Sequence, residues 1–363
     1  VYEAVRKGNH VLLEGSNGLG KTIAVLSACL PVAREHGLKI IYTAKTHRQH
    51  DRVIEELRAI SGKQAVSGIS IRGRQAMCFH PFIVRHTLDA RSTMEMCELL
   101  KARGQCPYYE RITANPDRYA DLQLHVSSKP FTALEVQEIC RAEDFCPYEL
   151  SKLLIGEVDV VALSYLYLFD PVIRSVFLKV LEKPLSRILL IVDEAHNLPN
   201  TALEIASDSL SLFVLRLAER EAKRYNHKDI ATFTAQFRAS IEKLATQIEK
   251  ETWIPPESLI ETIKTQMDIE EPLTFFEYLH ETGNFIKRDL LTHGEYPRSY
   301  IHKVGEFLLK WLDTAKDASF THVLSKYLTK TGLLSARLEA VALDPSKITE
   351  PVFSSVNCSV TMS

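Results

Sequence analysis

No apolar run in this sequence approaches the roughly 18 residues that a membrane-crossing helix needs, and the N-terminus has no charged-then-apolar secretory pattern. A membrane is therefore not an expected partner, and an intracellular site is expected: cytoplasmic, or nuclear if the source is eukaryotic. Charge of one sign is also lacking. With 44 Lys+Arg against 46 Asp+Glu the formal net charge is -2, so any contact with nucleic acid must come from local patches. Repeats, low-complexity tracts and flexible linkers are missing too, and domain boundaries have to be read from changes of pattern. Finally, the seven cysteines, at 29, 78, 97, 106, 140, 146 and 358, include no C-x₂-C knuckle, which counts against an ordinary structural zinc site. What is present is enough apolar material, 45 % of 363 residues, to bury the cores of about two domains.

The stretch that organises the rest is Gly15-Ser16-Asn17-Gly18-Leu19-Gly20-Lys21-Thr22, a complete G-x-x-x-x-G-K-T phosphate-binding loop. It follows the apolar run Val11-Leu12-Leu13 and opens Ile23–Leu30, whose length and lack of breakers predict a helix. Gly15, Gly18 and Gly20 let successive N–H groups converge on phosphate oxygens at a helix start, where the helix dipole also favours anions. Lys21 is expected to reach the β- and γ-phosphates of ATP or GTP, and Thr22 to hold Mg²⁺. A chance glycine-rich turn is the plain alternative, and the strand–loop–helix context argues against it.

Residues 1–8 read as the end of a helix stopped by Gly8, so an element upstream is expected. Lys39–Thr43 reads as a buried strand. Val53, Ile54, Leu57 and Ile60 fall at helical spacing, and Ile69–Ile71 is a short strand, giving β-α-β-α-β. From Arg72 to about Glu157 the chain reads as an irregular, cysteine-rich insertion broken by Pro81, Pro107, Pro116, Pro130 and Pro147. Buried-strand runs resume at Asp159–Ser164 and Arg187–Val192. From about Ala202 to Ala340 there is almost no strand signal, and 212–223, 230–250, 273–280 and 304–316 have helical spacing, which predicts a second, mostly α-helical insertion. Cys358–Met362 reads as a last strand. The fold class expected is α/β, a parallel sheet with helices on both faces.

Asp193-Glu194-Ala195-His196 follows the strand that ends at Val192, where acidic pairs serve ligands in such sheets. Asp193 is expected on Mg²⁺, and Glu194 on the water that attacks the γ-phosphate. Alone, the tetrapeptide could be a polar turn with Asp as a helix cap; after a phosphate loop in one sheet, the pair specifies an Mg²⁺-using NTPase. Thr43-Ala44-Lys45-Thr46-His47-Arg48-Gln49 puts hydroxyls, N–H groups and cations at a helix start, a candidate contact for nucleic-acid phosphates. Arg52, Arg58, Lys63, Arg72 and Arg74 extend the charge, although Asp51, Glu55 and Glu56 interleave, as on a solvated helix face. Five cysteines crowd into 78–146, two of them in Cys106-Pro107-Tyr108 and Cys146-Pro147-Tyr148 frames. Thiolates on such loops could hold a [4Fe–4S] cluster; spacing leaves zinc and buried free thiols open.

These motifs, in this order and ending in Asp193–Leu198, resemble the XPD-type iron–sulfur DNA helicases of superfamily 2, the archaeal members above all, over nearly the whole chain. The resemblance implies a RecA-like motor domain 1 in three pieces (1–71, 159–205 and 339–363), an iron–sulfur domain at 72–158 and a helical arch at 206–338. It implies ATP-driven 5′→3′ unwinding in nucleotide excision repair, with eukaryotic relatives in a transcription factor complex, and binding to single-stranded DNA and duplex junctions. Carried over by position, it makes Lys21, Thr22, Asp193 and Glu194 the hydrolysis core and His196 a coupler to the rest of the motor. Cys78, Cys97, Cys106 and Cys146 become the cluster ligands, and Lys45 and Thr46, with His47 and Arg48 beside them, the strand contacts. Cys140 falls outside the family frames. The arch would close over the cluster domain as a pore, with Lys287, Arg288, Arg298 and Lys303 as candidate phosphate contacts or simply a solvated face.

Two departures accompany the match. Ser16-Asn17 replaces the proline and small hydroxyl residue common at those loop positions, with the spacing intact. The second motor domain and its Q-x-x-G-R-x-x-R arginines are not in the sequence, so hydrolysis by this chain alone is expected to be very slow: such an arginine is worth about 10³–10⁵ in rate. Its own second motor domain and repair proteins are the expected partners. Two other readings remain: a redox-sensing or regulatory Mg-NTPase that never moves along DNA, and a nucleic-acid-binding module that has lost its motor.

Overall fold

The computed structural model describes residues 1–16, 18–62, 65–86, 90–329 and 332–363. Its strands are β1 (His10–Leu13), β2 (Lys39–Ala44), β3 (Gly68–Ser70), β4 (Pro130–Phe131), β5 (Val160–Ser164), β6 (Ile188–Val192), β7 (Asp208–Ser211), β8 (Glu251–Trp253), β9 (Phe320–Leu328), β10 (Leu334–Ala342) and β11 (Cys358–Met362). The chain divides into two compact units, Val1–Ala202 with Ser346–Ser363, and Leu203–Pro345.

The first unit is built on a seven-stranded sheet in the order β1-β11-β6-β2-β5-β3-β4, with every neighbouring pair parallel. It is the α/β, RecA-like sheet expected from the sequence. Every residue of β2 and β6 is buried, which is why these strands read as unbroken apolar runs rather than alternating ones. The helices Lys21–His36 and His47–Ser61 cover one face through Val25, Leu26, Cys29, Val53, Ile54 and Leu57. Because all strands run the same way, their C-terminal ends share one edge, and the loops after β1, β2 and β6 meet there.

Residues 72–158 correct the expectation of an irregular insertion. They form the helices Arg74–Met77, Pro81–Arg85, Ala90–Ala102, Pro107–Ala114, Pro116–Ser127, Ala133–Ala142 and Pro147–Glu157. Four of the supposed breakers, Pro81, Pro107, Pro116 and Pro147, start helices. Proline is tolerated at a first helical position because its missing N–H would be unpaired there anyway. Pro130 opens β4, an edge strand that extends the main sheet beside β3.

The second unit is mostly helical, with helices Leu212–Arg224, Lys228–Thr246, Pro256–Met267, Pro272–Thr292 and Tyr300–Thr314. It also contains a four-stranded antiparallel sheet, β7-β10-β9-β8, which corrects the reading of almost no strand signal across 202–340. Its core gathers Phe233, Phe237, Phe276, Phe307 and Trp311 with Leu324 and Leu338 of the sheet.

Candidate functional site

The loop after β1 curls back on itself. Gly18 and Gly20 have φ of +85° and +78°, a left-handed conformation that side chains resist, and Gly20 caps the helix Lys21–His36. Gly15 is hemmed in by Leu19 and Lys21: a Cβ there would stand 3.1 Å from Leu19 Cδ2 and 3.3 Å from Lys21 Cδ. The Lys21 ammonium donates to the Gly15 carbonyl, so the loop folds around its own cation. Ser16 and Leu19 line the same turn through a 3.4 Å backbone contact, and Thr22 lies in the first turn of the helix. Asn17 lies outside the described residues.

Two strands away in the sheet, β6 delivers Asp193 and Glu194. The Asp193 N–H donates to the Thr43 carbonyl of β2 at 2.9 Å, which continues the sheet by one rung. Glu194 is left-handed, φ 48° and ψ 47°, a conformation that costs a non-glycine residue of order 1–3 kcal/mol and persists only where the surroundings enforce it. Here Tyr165, buried after β5, donates through its hydroxyl to the carbonyls of Asp193 and Glu194, the latter at 3.1 Å. Burial pushes the Asp193 carboxyl above the ordinary carboxylate range. The adjacent Glu194 adds to that, while the Tyr42 hydroxyl and the Lys21 ammonium act the other way. A carboxyl raised by burial in this way is relieved by a nearby positive charge, which a bound cation would supply.

From this turn a chain of polar contacts leads to the end of β2. His196 Nδ1 is 2.7 Å from Ser363 Oγ and 3.4 Å from Glu194 Oε2, and its Nε2 is 3.0 Å from Asn197 Nδ2. Asn197 also donates to the Glu194 carbonyl at 3.2 Å and accepts from Lys45 Nζ at 3.3 Å. The acidic turn and the start of the helix His47–Ser61 are therefore joined through side chains. At that start Thr46 forms a capping box: its hydroxyl accepts from the Gln49 N–H at 3.3 Å, and its own N–H donates to Gln49 Oε1 at 2.9 Å. Lys45, Thr46, His47 and Arg48 are all exposed, and an open cleft of about 500 Å³ follows, lined by Arg48, Asp51, Arg52, Glu55 and Arg72.

The charge expected to run on from there is largely committed elsewhere. Arg58 pairs with Glu135, Arg72 with Asp51 at 2.6 Å, and Arg74 with Glu98 at 2.8 Å. Lys63 lies outside the described residues. In the second unit Lys287 is buried, Lys303 pairs with Asp208 at 2.9 Å, and Arg298 packs over the Tyr300 ring, so three of the four basic residues singled out there have structural surroundings of their own.

The cysteines draw together in a way the sequence leaves open. Cys106 and Cys146 are the N-caps of Pro107–Ala114 and Pro147–Glu157, so the Cys-Pro-Tyr frame is a helix-start frame. Their sulfurs face the N–H groups of Tyr108 and Tyr109, and of Tyr148 and Glu149. The Cys78 sulfur accepts from the His80 N–H at 3.3 Å, and the Cys146 N–H donates to the Tyr108 carbonyl at 3.1 Å, lacing the two frames. Burial pushes the Cys78 thiol up to about 11, the Cys146 thiol up to about 12 and the Cys106 thiol upward, and in each case Cys97 is close enough to add to the rise. Cys78, Cys106 and Cys146 therefore share one neighbourhood with Cys97, and at these three N–H donors favour the thiolate while burial opposes it, a conflict that bound iron would resolve. Cys140, pushed up to about 12 by burial, borders Cys146. All seven cysteines are free, and among the described residues no three His, Cys, Asp or Glu side chains converge tightly enough to hold a single ion.

Tyr42, Tyr165 and Ser363 carry no sequence signal as site residues: a tyrosine in or after a buried strand reads as core. Among the described residues no helix is long and apolar enough to cross a membrane.

A family model described as DEAD_2 matches residues 42–215. The chain is 33 % identical over 182 residues to a regulator of telomere elongation helicase 1 homolog of Anopheles gambiae, covering 50 % of this chain and 17 % of that one. It is 25 % identical over 265 residues to the general transcription and DNA repair factor IIH helicase subunit XPD of Arabidopsis thaliana, covering 65 % and 34 %. The chain thus spans well under half the length of these relatives. Among solved structures, one described as XPD helicase aligns over 100 % of this chain and 56 % of its own with TM-score 0.60 at 18 % identity. One described as truncated XPD aligns over 100 % and 90 %, with TM-score 0.58 at 18 % identity; both share the fold. The chain thus carries a DEAD_2 domain, with the phosphate loop and the acidic turn set on one parallel sheet, and it is similar over part of their length to these helicases and shares the fold of the XPD structures.

Proposed function

We propose that the chain is motor domain 1, with its iron–sulfur and arch insertions, of an ATP-driven 5′→3′ DNA helicase that acts in nucleotide excision repair. One observation carries this reading: the phosphate loop and the Asp193–Glu194 turn meet at one edge of the sheet, and Glu194, His196, Asn197 and Lys45 link that edge to an exposed helix start suited to phosphates. The boundaries proposed are 1–71, 159–205 and 339–363 for the motor, 72–158 for the cluster domain and 206–338 for the arch. A cytoplasmic location, nuclear in a eukaryote, follows from this reading.

In this account the N–H groups of residues 15–22 cradle the β- and γ-phosphates of ATP, and Lys21 leaves the Gly15 carbonyl to pair with them. Thr22 and Asp193 would hold Mg²⁺, which when bound would neutralise phosphate charge. Glu194, fixed by Tyr165, orients the attacking water and accepts its proton. The proton and charge changes at Glu194 reach Lys45 through His196 and Asn197, next to the DNA strand held by Lys45, Thr46, His47 and Arg48. A second motor domain, as partner, supplies the arginines that complete the transition state. Cys78, Cys97, Cys106 and Cys146 would hold the [4Fe–4S] cluster, whose iron–thiolate bonds would tie together the segments of 72–158 that carry them.

The reading is tested by single-stranded DNA stimulation of ATP hydrolysis in protein carrying both motor domains. Stimulation that is lost in Lys45→Ala supports it, and turnover indifferent to DNA would favour a regulatory NTPase. Separately, Cys106→Ser is expected to abolish bound iron and to expose 72–158 to proteolysis, because Cys106 stands at the N-cap position of one laced frame. A folded variant with its full iron content would mean a different ligand set.

A further inference from the structure

Tyr42 is fully buried in the middle of the sheet: it lies on β2, opposite Ile191 of β6, two residues before Asp193. Its ring packs in the core beneath the helix Lys21–His36, with Val25 and Leu26. Its hydroxyl, however, is a buried oxygen that closes no hydrogen bond of good distance and angle, although it lies near enough to Thr22 and Asp193 for each to feel it. The side chains it faces are those of Thr22 and Asp193, one on the helix after the phosphate loop and the other at the end of β6. An unpaired buried hydroxyl costs about 1–3 kcal/mol, so a phenylalanine would be the more stable choice if packing were the only requirement.

We propose that Tyr42 is a positioning residue for the bound divalent cation: its hydroxyl is set to bridge Thr22 and Asp193 once both turn toward Mg²⁺. This rests on the nucleotide-site reading above. The proton count leaves room for such a group. A threonine hydroxyl has one proton, and when its oxygen lone pair faces a cation that proton must go to another acceptor; the Tyr42 oxygen is its neighbour. Tyr42 in turn has one proton to give, and the Asp193 carboxylate beside it accepts. One hydroxyl thus satisfies both residues at once and fixes their separation, in the way that outer hydrogen bonds orient metal-binding side chains elsewhere. Among the described residues no other side-chain hydroxyl bonds the Asp193 carboxylate: its Oδ1 accepts the Glu194 N–H at 3.0 Å, and Tyr165 reaches only its backbone.

The test uses Tyr42→Phe, which removes one oxygen and keeps the ring. Affinity for a fluorescent non-hydrolysable ATP analogue is measured in Mg²⁺ and in EDTA, together with the melting temperature. The expected result is a Mg²⁺ requirement raised about 10- to 100-fold, with affinity in EDTA where it was and a melting temperature equal or higher. A Mg²⁺ dependence like that of the parent would overturn the proposal. So would a lower melting temperature with affinity lost equally in Mg²⁺ and EDTA, which marks a purely structural role. If the unaltered protein gains no affinity from Mg²⁺, the nucleotide-site reading itself fails, and the inference falls with it.

Discussion

Lys21→Ala is expected to lower ATP turnover by at least about 100-fold in protein carrying both motor domains, the scale on which removal of a donor aimed at developing charge acts. Two structural facts set this size. The Lys21 ammonium sits inside the loop on the Gly15 carbonyl, at the place where phosphates would enter. Its charge also acts against the rise that burial imposes on the half-buried Asp193 carboxyl. Alanine therefore removes the cation that meets the phosphates and, at the same step, leaves Asp193 less ready to hold Mg²⁺. Binding to single-stranded DNA should persist, because Lys45, Thr46, His47 and Arg48 lie on a different element, capped by its own Thr46–Gln49 box. Phosphate release and DNA anisotropy on the same preparation check both halves. Unchanged turnover would remove Lys21 from the site.

Gly283→Ala is expected to cost the second unit about 2 kcal/mol or more. The helices Pro272–Thr292 and Tyr300–Thr314 each carry a His-x-x-Gly step, His280 to Gly283 and His302 to Gly305. They approach so closely that a Cβ on Gly283 would stand 2.3 Å from His302 N, and one on Gly305 2.6 Å from His280 N. The histidine rings pack 4.4 Å apart between centroids, and burial holds His302 down to about 4, so it is neutral at pH 7. Alanine is favoured over glycine in a helix interior by about 1 kcal/mol. Overpacking against a rigid backbone costs about 1–3 kcal/mol and more when nothing can move, so the clash wins. For a unit of this size the loss should appear as a melting temperature lower by roughly 4–8 °C. Gly156→Ala is the control. That helical glycine has open space around it, and alanine there should stabilise by about 0.4–1 kcal/mol. A Gly283→Ala protein as stable as its parent would contradict the close crossing.

The parallel sheet was legible because β2, β5, β6 and β11 are short apolar runs, the pattern that burial on both faces produces. The second sheet was not. In β10, Leu334-Ser-Ala-Arg-Leu-Glu-Ala-Val-Ala342, the inward positions are mostly alanine and leucine, residues that local propensity assigns to helices, and only pairing with β9 and β7 decides otherwise. The prolines of 72–158 misled for a related reason: the same residue stops a helix from inside and starts one at its first position.

For the candidate site, a motif written in consecutive residues was readable, and anything settled by distant partners was not. Gly15–Thr22 and Asp193–His196 stand in single stretches. Arg58, Arg72 and Arg74 read as a basic surface, yet their acidic partners are Glu135, Asp51 and Glu98, brought in by the fold. Tyr42 and Tyr165 owe their place to strand parity and to β6 lying next to β2, which spacing along one chain does not encode.

The most direct measurement is quantitation of iron and acid-labile sulfide on anaerobically purified protein, with a visible spectrum and a zinc assay. The account predicts about four iron and four sulfide per chain and a broad absorption near about 400 nm, lost together in Cys106→Ser. Zinc without sulfide, or no metal at all, would contradict the iron–sulfur helicase and leave only a nucleotide-binding domain standing.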